Sequence, residues 1–272
     1  MKKALSLLLV AVLLLTFGLC GCGEAKPNDD ENAETKKLVM ATNAAFPPYE
    51  FVDDEGNYAG IDVEIAGLIA EELGLELEIK DVDFGAILGG VQSGMYDIGM
   101  AGITVKPDRL EQVNFSNTYA KAKQVVIVKE DSAVKSFEEF YTAYDEEENP
   151  SAVADVKIGV QQDTTGHIYA SDEPKNWGFG EDKVIAYKTG PDAVQGLLTG
   201  KVDAVIIDSE PAKAFVAQNE GLKILDGAYA DEEYAIAINK TNSELLTKVN
   251  EALKKFTDNG EIQKIVDKYI TE

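Results

Sequence analysis

The chain has 272 residues, of which 49 are acidic and 25 are lysine or arginine, so its formal net charge is −24 at pH 7. A surface this acidic repels phosphate backbones, which argues against nucleic-acid binding. The chain has one histidine, His167, which excludes a histidine-rich metal site, and we expect no metal and no other cofactor.

The N-terminal segment has the pattern of an export signal. Two lysines at positions 2 and 3 precede an apolar stretch from Ala4 to Leu19, which is shorter than the roughly 20 residues of a membrane-spanning helix. We therefore predict a signal peptide over residues 1–21. The following Leu19-Cys20-Gly21-Cys22 resembles a bacterial lipobox, in which Cys22 would carry the lipid. The alternative is an ordinary signal peptide with incidental cysteines.

A polar segment separates this signal from the rest of the chain. Residues Glu24 to Lys37 are acidic and nearly free of large apolar side chains, which is typical of a disordered tether. We assign residues 22–37 to this lipid-anchored tether. If Cys20 is removed with the signal and Cys22 is lipidated, no thiol remains for a disulfide.

Strand-like and helix-like segments alternate in the first half of the remaining chain. They are strand Leu38–Thr42, helix Ile61–Leu73, strand Leu75–Val82, helix Ala86–Ser93 and strand Ile98–Ile103. This β-α-β-α-β order predicts a largely parallel, doubly wound α/β sheet. The carboxyl edge of such a sheet is where ligands bind.

The second half of the chain repeats this kind of alternation. The predicted strands are Gln124–Lys129, Val156–Val160, Val184–Tyr187, Ala204–Ile207, Leu222–Leu225 and Tyr234–Ile238. The predicted helices are Ser136–Tyr144, one starting at His167, Glu210–Asn219, Ser243–Asn259 and Ile262–Ile270. An acidic insertion at residues 145–151 has no evident chemistry.

An internal repeat suggests two similar lobes. The segment from Ile87 to Gly102 aligns with the segment from Ala193 to Asp208, and each copy is a helix, a glycine stop, an aspartate and an apolar strand. We predict one lobe from residues 38–120 and 234–272, and a second from residues 121–233. Two chain crossings between them would form a hinge.

The repeat also relates the positions of two oppositely charged residues, Arg109 and Asp208. Arg109 follows the last strand of the first series, and its guanidinium could pair with a ligand carboxylate through two parallel hydrogen bonds. Gly102 and Asp208 occupy equivalent positions at strand ends, so facing lobes would place Arg109 near a carboxylate. Such a pair of sites matches a zwitterion. The alternative for Arg109 is a surface ion pair with Asp108 or Glu111.

Several motifs in combination resemble the family 3 periplasmic-type solute-binding proteins, which are amino-acid receptors of ABC importers. The motifs are Ala45-Phe46-Pro47-Pro48-Tyr49-Glu50-Phe51, Gly60-Ile61-Asp62-Val63-Glu64, Asp83-Phe84, Ala101-Gly102-Ile103-Thr104 with Arg109, Phe115-Ser116, Gly159-Val160-Gln161-Gln162 and Gly200-Lys201-Val202-Asp203-Ala204. The resemblance covers Leu38 to about Tyr269. It implies the two-lobed type II fold of periplasmic binding proteins, with a two-strand hinge.

The resemblance also implies roles for individual residues. Arg109 would hold the ligand α-carboxylate, helped by Thr104, Thr164 and Thr165. Asp208 would take the α-ammonium with the carbonyl of Gly102, beside Ala101. Phe46 and Phe84 match the aromatic walls around the ligand side chain, although core packing is the commoner fate of a phenylalanine. Asp163 stands where relatives often have glycine, which leaves the path of its loop open.

The side-chain end of the pocket is expected at Asn43 and Gln161, where relatives vary with specificity. With Phe46, Phe84 and Ile207 these positions carry no charge, so we expect a neutral polar amino acid, because unpaired buried charges are costly. If Glu50 turned inward, a cationic ligand would become possible.

The resemblance further implies an exported monomer, lipid-anchored to the outer face of the cytoplasmic membrane of a Gram-positive bacterium. Its partners would be a free amino acid and the permease of an ABC transporter. We expect no enzymatic activity. The alternative is a cyclohexadienyl dehydratase-like enzyme on the same fold, in which His167 would stand closest to the catalytic glutamate. A serine-based triad using His167 is also open, but no Gly-x-Ser-x-Gly motif accompanies it.

Overall fold

The computed structural model describes residues 36–270 of the chain. The predicted signal peptide and residues 22–35 of the predicted tether, which include Cys22, lie outside this range. None of the helices within residues 36–270 combines the length and the apolar composition needed to cross a membrane.

Sixteen strands and eight α-helices lie within the described residues. The strands are β1 Lys37–Thr42, β2 Ala45–Phe46, β3 Glu50–Val52, β4 Tyr58–Ala59, β5 Glu76–Asp81, β6 Ile98–Gly99, β7 Asn114–Phe115, β8 Ala120–Lys129, β9 Tyr141–Tyr144, β10 Pro150–Val153, β11 Ile158–Gln161, β12 Val184–Tyr187, β13 Ala204–Asp208, β14 Leu222–Ile224, β15 Ala230–Tyr234 and β16 Ala237–Ile238. The helices are α1 Ile61–Glu72, α2 Phe84–Ser93, α3 Pro107–Gln112, α4 Thr165–Ser171, α5 Gly190–Leu198, α6 Ser209–Gln218, α7 Ser243–Asp258 and α8 Glu261–Tyr269.

Two main sheets carry the architecture. The first has the strand order β5-β1-β6-β16-β7, and the second has the order β12-β11-β13-β8-β14. In each sheet the first three strands are parallel and the strands beyond them pair antiparallel. The predicted two-lobed α/β fold is confirmed, with sheets that are mixed rather than wholly parallel.

Two strands connect the sheets. The first part of β8 pairs antiparallel with β15, with Ala120 opposite Tyr234 and Gln124 opposite Ala230. The later part of β8 pairs with β13 in the second sheet, while β15 leads directly to β16 in the first sheet. We call residues 120–124 and 230–234 the hinge strands.

The internal repeat corresponds to one structural unit used twice. Asp97 accepts a hydrogen bond from the amide of Val39 at 2.8 Å, and Asp203 accepts one from the amide of Lys157 at the same distance. Each aspartate therefore ties the turn before a buried strand to the start of the neighbouring parallel strand. This shared role gives a physical reason for an aspartate at both positions.

The predicted helix over Ser136–Tyr144 is wrong. A single 3-10 turn covers Phe137–Phe140, and Tyr141–Tyr144 forms the first strand of a hairpin with β10. Asp145 shapes the hairpin turn, because its Oδ1 accepts hydrogen bonds from the amides of Glu147 and Asn149. The acidic insertion is therefore the tip of a β-hairpin.

Helix α3 was not predicted from the sequence. It begins with Pro107 at its first position, where a missing amide hydrogen costs nothing, and it lasts only six residues. The preceding strand is shorter than expected, since β6 ends at Gly99. Helix α3 presents Arg109 from a rigid element rather than from a loop.

Candidate functional site

A buried cavity lies between the loops of the two sheets. The volume that the centre of a water-sized sphere can occupy is about 20 Å³. It is lined by Asn43, Phe46, Glu50, Phe84, Ala101, Gly102, Thr104, Arg109, Gln161, Thr164, Thr165 and Asp208. Eleven of the residues expected at the binding site thus border one cavity, together with Glu50, whereas Ile207 packs in the hydrophobic core.

The parallel strands explain why residues distant in sequence meet here. Asn43 follows β1, the segment 101–104 follows β6, and Gln161 and Asp208 end β11 and β13. The carboxyl ends of parallel strands lie at one edge of a sheet, where ligands bind in open α/β folds. The carboxyl edges of both sheets face this cavity.

Arg109 is a buried cation at this cavity. Its side chain is 4 % exposed, which excludes the surface ion pair considered above. Nη1 donates to the carbonyl of Thr104 at 3.0 Å, and Nη2 donates to the carbonyl of Asp163 at 3.2 Å. The guanidinium also lies 5.4 Å from the ring centre of Phe84. These two hydrogen bonds use two of its five N–H donors.

Asp208 is a buried carboxyl group at the same cavity. Its Oδ2 accepts from Nε2 of Gln124 at 2.8 Å, and its Oδ1 accepts from the hydroxyl of Tyr234. Burial, with repulsion from Glu232 second, raises the pKa of Asp208 to about 8. Burial therefore favours the protonated form of this carboxyl group when no cation is beside it.

Asp62 fixes the loop that carries Gly102. Its Oδ2 accepts from the Gly102 amide at 2.9 Å, and its Oδ1 accepts from the hydroxyl of Tyr119 at 2.7 Å. Gly102 has a φ of 53°, and a Cβ there would lie 3.0 Å from the ring of Phe46. Glycine is needed at this position for both reasons. Asp62 is thus a structural residue.

Asn43 and Gln161 bond to each other across the cavity. Nε2 of Gln161 donates to Oδ1 of Asn43 at 2.9 Å, and Nδ2 of Asn43 donates to the carbonyl of Val82 at 2.8 Å. Amides without hydrogen-bond partners would favour a polar ligand side chain over an aliphatic one. Asn43 and Gln161 satisfy one another instead, which removes that argument.

Glu50 lies inside the cavity wall. Strand β3 pairs with β2, with Glu50 opposite Phe46, and the side chain is 1 % exposed. Its Oε2 has no hydrogen-bond partner among the described residues. Burial and the nearby Asp62 raise its pKa well above the ordinary value. The side-chain end of the pocket therefore carries an ionisable group, contrary to the expectation of an uncharged end.

The loop after β11 contains a residue in the backbone conformation that glycine favours. Asp163 has a φ of 63°, in the left-handed region that glycine and, less often, aspartate adopt. Its amide donates to Nδ1 of His167 at 3.1 Å, and Thr164 caps helix α4 by accepting from the His167 amide. His167 holds this loop and is not among the described residues that line the cavity.

The sequence analysis missed a polar group in the hinge strands. Gln124, Glu232 and Tyr234 are buried, and Gln124 also contacts Oε2 of Glu232 at 3.0 Å. Exposed and buried residues alternate along β15. Asp231 and Glu233 are exposed, so Glu232 between them points inward, on the same face as Tyr234. This alternation could have identified Glu232 and Tyr234 as buried residues.

Comparison with known proteins identifies relatives over most of the chain. The model of the bacterial extracellular solute-binding proteins, family 3, matches residues 38–272. The arginine-binding extracellular protein ArtP of Bacillus subtilis is 31 % identical over 273 residues, which cover 100 % of this chain and 99 % of that protein.

Solved structures of similar proteins agree in fold. An ancestral arginine-binding protein bound to arginine is 36 % identical with a TM-score of 0.75, covering 86 % of this chain and 98 % of that one. The ancestral amino-acid-binding protein AncCDT-1, a precursor of cyclohexadienyl dehydratase, is 31 % identical with a TM-score of 0.74, covering 86 % of this chain and 95 % of that one.

Proposed function

Because the chain belongs to the bacterial extracellular solute-binding proteins of family 3, we propose that it binds a free amino acid and delivers it to the permease of an ABC importer. The observation that carries this proposal is the pairing of buried Arg109 with buried Asp208 on one small cavity. A cation and a carboxyl group on one cavity suit the two charged groups that all free amino acids share.

Each end of the ligand backbone has candidate partners. Arg109 would meet the α-carboxylate with its remaining N–H donors, beside Thr104, Thr164 and Thr165. Asp208 and the carbonyl of Gly102 would accept hydrogen bonds from the α-ammonium. Desolvated ion pairs of this kind are strong when the geometry is fixed in advance, and helix α3 and strand β13 provide that rigidity. Phe46, Phe84 and Ala101 would form apolar walls.

Glu50 supports a ligand with a cationic side chain, and arginine is the amino acid we propose. A guanidinium could pair with this buried carboxyl group, which has an unpartnered oxygen in the described structure. The names of ArtP and of the ancestral protein above, both arginine-binding, support the same choice. A neutral polar ligand such as glutamine is the second candidate, because Glu50 carries no charge while it keeps its proton and the rest of the side-chain end is uncharged.

The hinge strands support binding by closure of two lobes. We propose the lobes as residues 38–120 with 234–272, and residues 121–233. Several contacts join the two sheets around the cavity, including the bonds from Arg109 to Asp163 and from Gln161 to Asn43. A ligand enclosed in this way would lose its hydration on all sides, which strengthens both ion pairs.

We also propose that the mature protein is a monomer held by a lipid on Cys22 at the outer face of the cytoplasmic membrane of a Gram-positive bacterium. Its role is binding rather than catalysis. His167 bonds to the backbone of its own loop and stands outside the described cavity lining, which disfavours the dehydratase alternative.

A thermal-shift screen of the twenty amino acids tests the proposal. A ligand at about 100 times its dissociation constant adds about 2.7 kcal/mol of stability, which is readily measured. Arginine should give the largest shift, and calorimetry should then show one site per chain. If no amino acid shifts the melting temperature, the proposed function is wrong. Turnover of prephenate or arogenate would establish the dehydratase alternative.

A further inference from the structure

Glu232 is a second buried carboxyl group beside the proposed ammonium site. It lies on hinge strand β15, is 6 % exposed, and faces an open cleft that shares Thr104 with the ligand cavity. Its Oε2 accepts hydrogen bonds from Oγ1 of Thr104 and Nε2 of Gln124, each at 3.0 Å. Its Oε1 has no hydrogen-bond partner among the described residues.

One amide nitrogen joins Glu232 to Asp208. Nε2 of Gln124 lies 2.8 Å from Asp208, 3.0 Å from Glu232 and 3.3 Å from Oγ1 of Thr165. A primary amide has two hydrogens, so it cannot satisfy all three acceptors at full strength. Two ionised carboxylates held by one nitrogen would also repel each other strongly inside the protein.

Few charges of opposite sign face this pair. Arg109 is the buried cation whose charge interacts with both carboxyl groups. The other ionisable groups that border or interact with the pair are Tyr49, Glu50, Lys121, Lys123, Tyr169, Glu210, Lys213, Asp231, Glu233 and Tyr234. Of these, Lys213 pairs with Glu210 at 2.8 Å, and the lysines of the hinge are exposed.

We propose that Glu232 is a positioning residue of the amino-acid site, which keeps a proton on Asp208 until the ligand ammonium arrives and displaces that proton to solvent. The inference rests on the proposed function, because it takes Asp208 as the ammonium partner. The proton balance is simple. The Asp208 carboxyl group loses one proton to water, the ligand keeps its ammonium, and the resulting carboxylate pairs with that cation.

A third polar residue, Gln124, lies between the two carboxyl groups and hydrogen-bonds to both. Gln124 is fully buried and stabilises whichever oxygen is negative, without adding a charge. The ligand-free site then avoids two adjacent unpaired negative charges, and the liganded site gains an ammonium beside two carboxyl groups. Burial and Glu232 both raise the pKa of Asp208, in agreement with a proton held there at pH 7.

Isothermal titration calorimetry with arginine at pH 7 tests the inference. The measured enthalpy is compared in phosphate and Tris buffers, whose ionisation enthalpies differ, so that the slope gives the number of protons released per ligand. Glu50 can release a proton of its own to a guanidinium, so the decisive quantity is the difference between variants. Glu232→Gln should lower the count by more than half a proton, while Glu233→Gln, an exposed neighbour, should leave it unchanged.

The outcomes separate this inference from the function on which it rests. Arginine binding with no proton release in the parent protein, or an equal count in the parent and Glu232→Gln, overturns the inference alone. If Glu232→Gln fails to fold, the count in Glu50→Gln, whose side chain has no proton to release to the guanidinium, decides the question: a count below half a proton overturns the inference. Absence of binding to every amino acid would overturn the proposed function and this inference together.

Discussion

The guanidinium of Arg109 donates from Nη2 to the main-chain carbonyl of Asp163, 3.2 Å away. Arg109 belongs to helix α3, which follows the first sheet, whereas Asp163 belongs to the loop after β11 in the second sheet. The side chain proposed to hold the ligand carboxylate therefore also links the two halves of the site. Closure of the two lobes and binding of the ligand carboxylate would therefore depend on the same residue.

Arg109→Ala should nearly abolish amino-acid binding. Removal of one partner of a desolvated ion pair costs roughly 2 to 5 kcal/mol, which is a loss of ~30-fold or more in affinity. Arg109→Lys should recover little, because lysine lacks the planar fork. Calorimetry measures both. Lys106→Ala is the matched control, since Nζ of Lys106 contacts the ring of Tyr169 outside the cavity. Parent-like affinity in Arg109→Ala would refute this site.

Glu50→Gln should change ligand preference. The variant keeps the size of the side chain but cannot pair with a guanidinium, so arginine should lose at least tenfold in affinity, about 1.4 kcal/mol. Glutamine should be affected much less. Competition of unlabelled amino acids against labelled arginine measures the ratio. Equal loss for arginine and glutamine would mean that Glu50 acts on the fold rather than on specificity.

Gln161→Ala should weaken binding moderately. It removes the hydrogen bond to Asn43 that spans the cavity, and such a bond contributes about 1 kcal/mol, or roughly fivefold in affinity. The exposed ion pair of Asp83 with Lys188, 3.6 Å apart, provides the comparison. Asp83→Asn should change the affinity less than Gln161→Ala, because exposed pairs contribute little. A larger loss of affinity in Asp83→Asn than in Gln161→Ala would mean that the surface ion pair is the more important contact between the closed lobes.

The stability of the ligand-free protein should fall as the pH rises from about 4 to about 8. Burial raises the pKa of Asp208 from 3.8 to about 8, so in this window the folded chain holds a proton that the unfolded chain has released. Asp62, whose pKa is raised to about 6, acts in the same direction over a narrower range. Urea denaturation at pH 5 and pH 8 measures the change. Asp208→Asn should reduce it, and an unchanged dependence in that variant would contradict the assignment.

Cys22→Ala should release the protein from the membrane fraction. Two acyl chains anchor a protein stably where one chain does not, so loss of the cysteine proposed to carry the lipid should remove the anchor. Cell fractionation measures the distribution, with Cys20→Ala as the control that should remain anchored. An unmodified mature N-terminus at another residue, found by mass spectrometry, would reject the lipid assignment.

The sequence determined the architecture through its periodicity. Alternating strand and helix patterns predicted the two sheets, and the repeat from Ile87 and Ala193 predicted that one unit is used twice. Such local patterns are readable because each element must bury one face. The helix predicted at Ser136–Tyr144 failed because its aromatic residues fit a hairpin strand as well as a helix, and the choice depends on what lies opposite.

The sequence identified residues of the candidate site but not which side chains they contact. The motifs supplied the eleven expected cavity residues, because strand ends and glycine-bearing loops are marked locally. Only the tertiary structure decided that Asn43 bonds to Gln161, that Glu50 turns inward, and that Glu232 shares Gln124 with Asp208. These outcomes depend on which strands pair and on the approach of residues up to 118 positions apart in the chain. Burial then sets which carboxyl groups keep a proton, since the desolvation of a charge is a property of the surrounding fold.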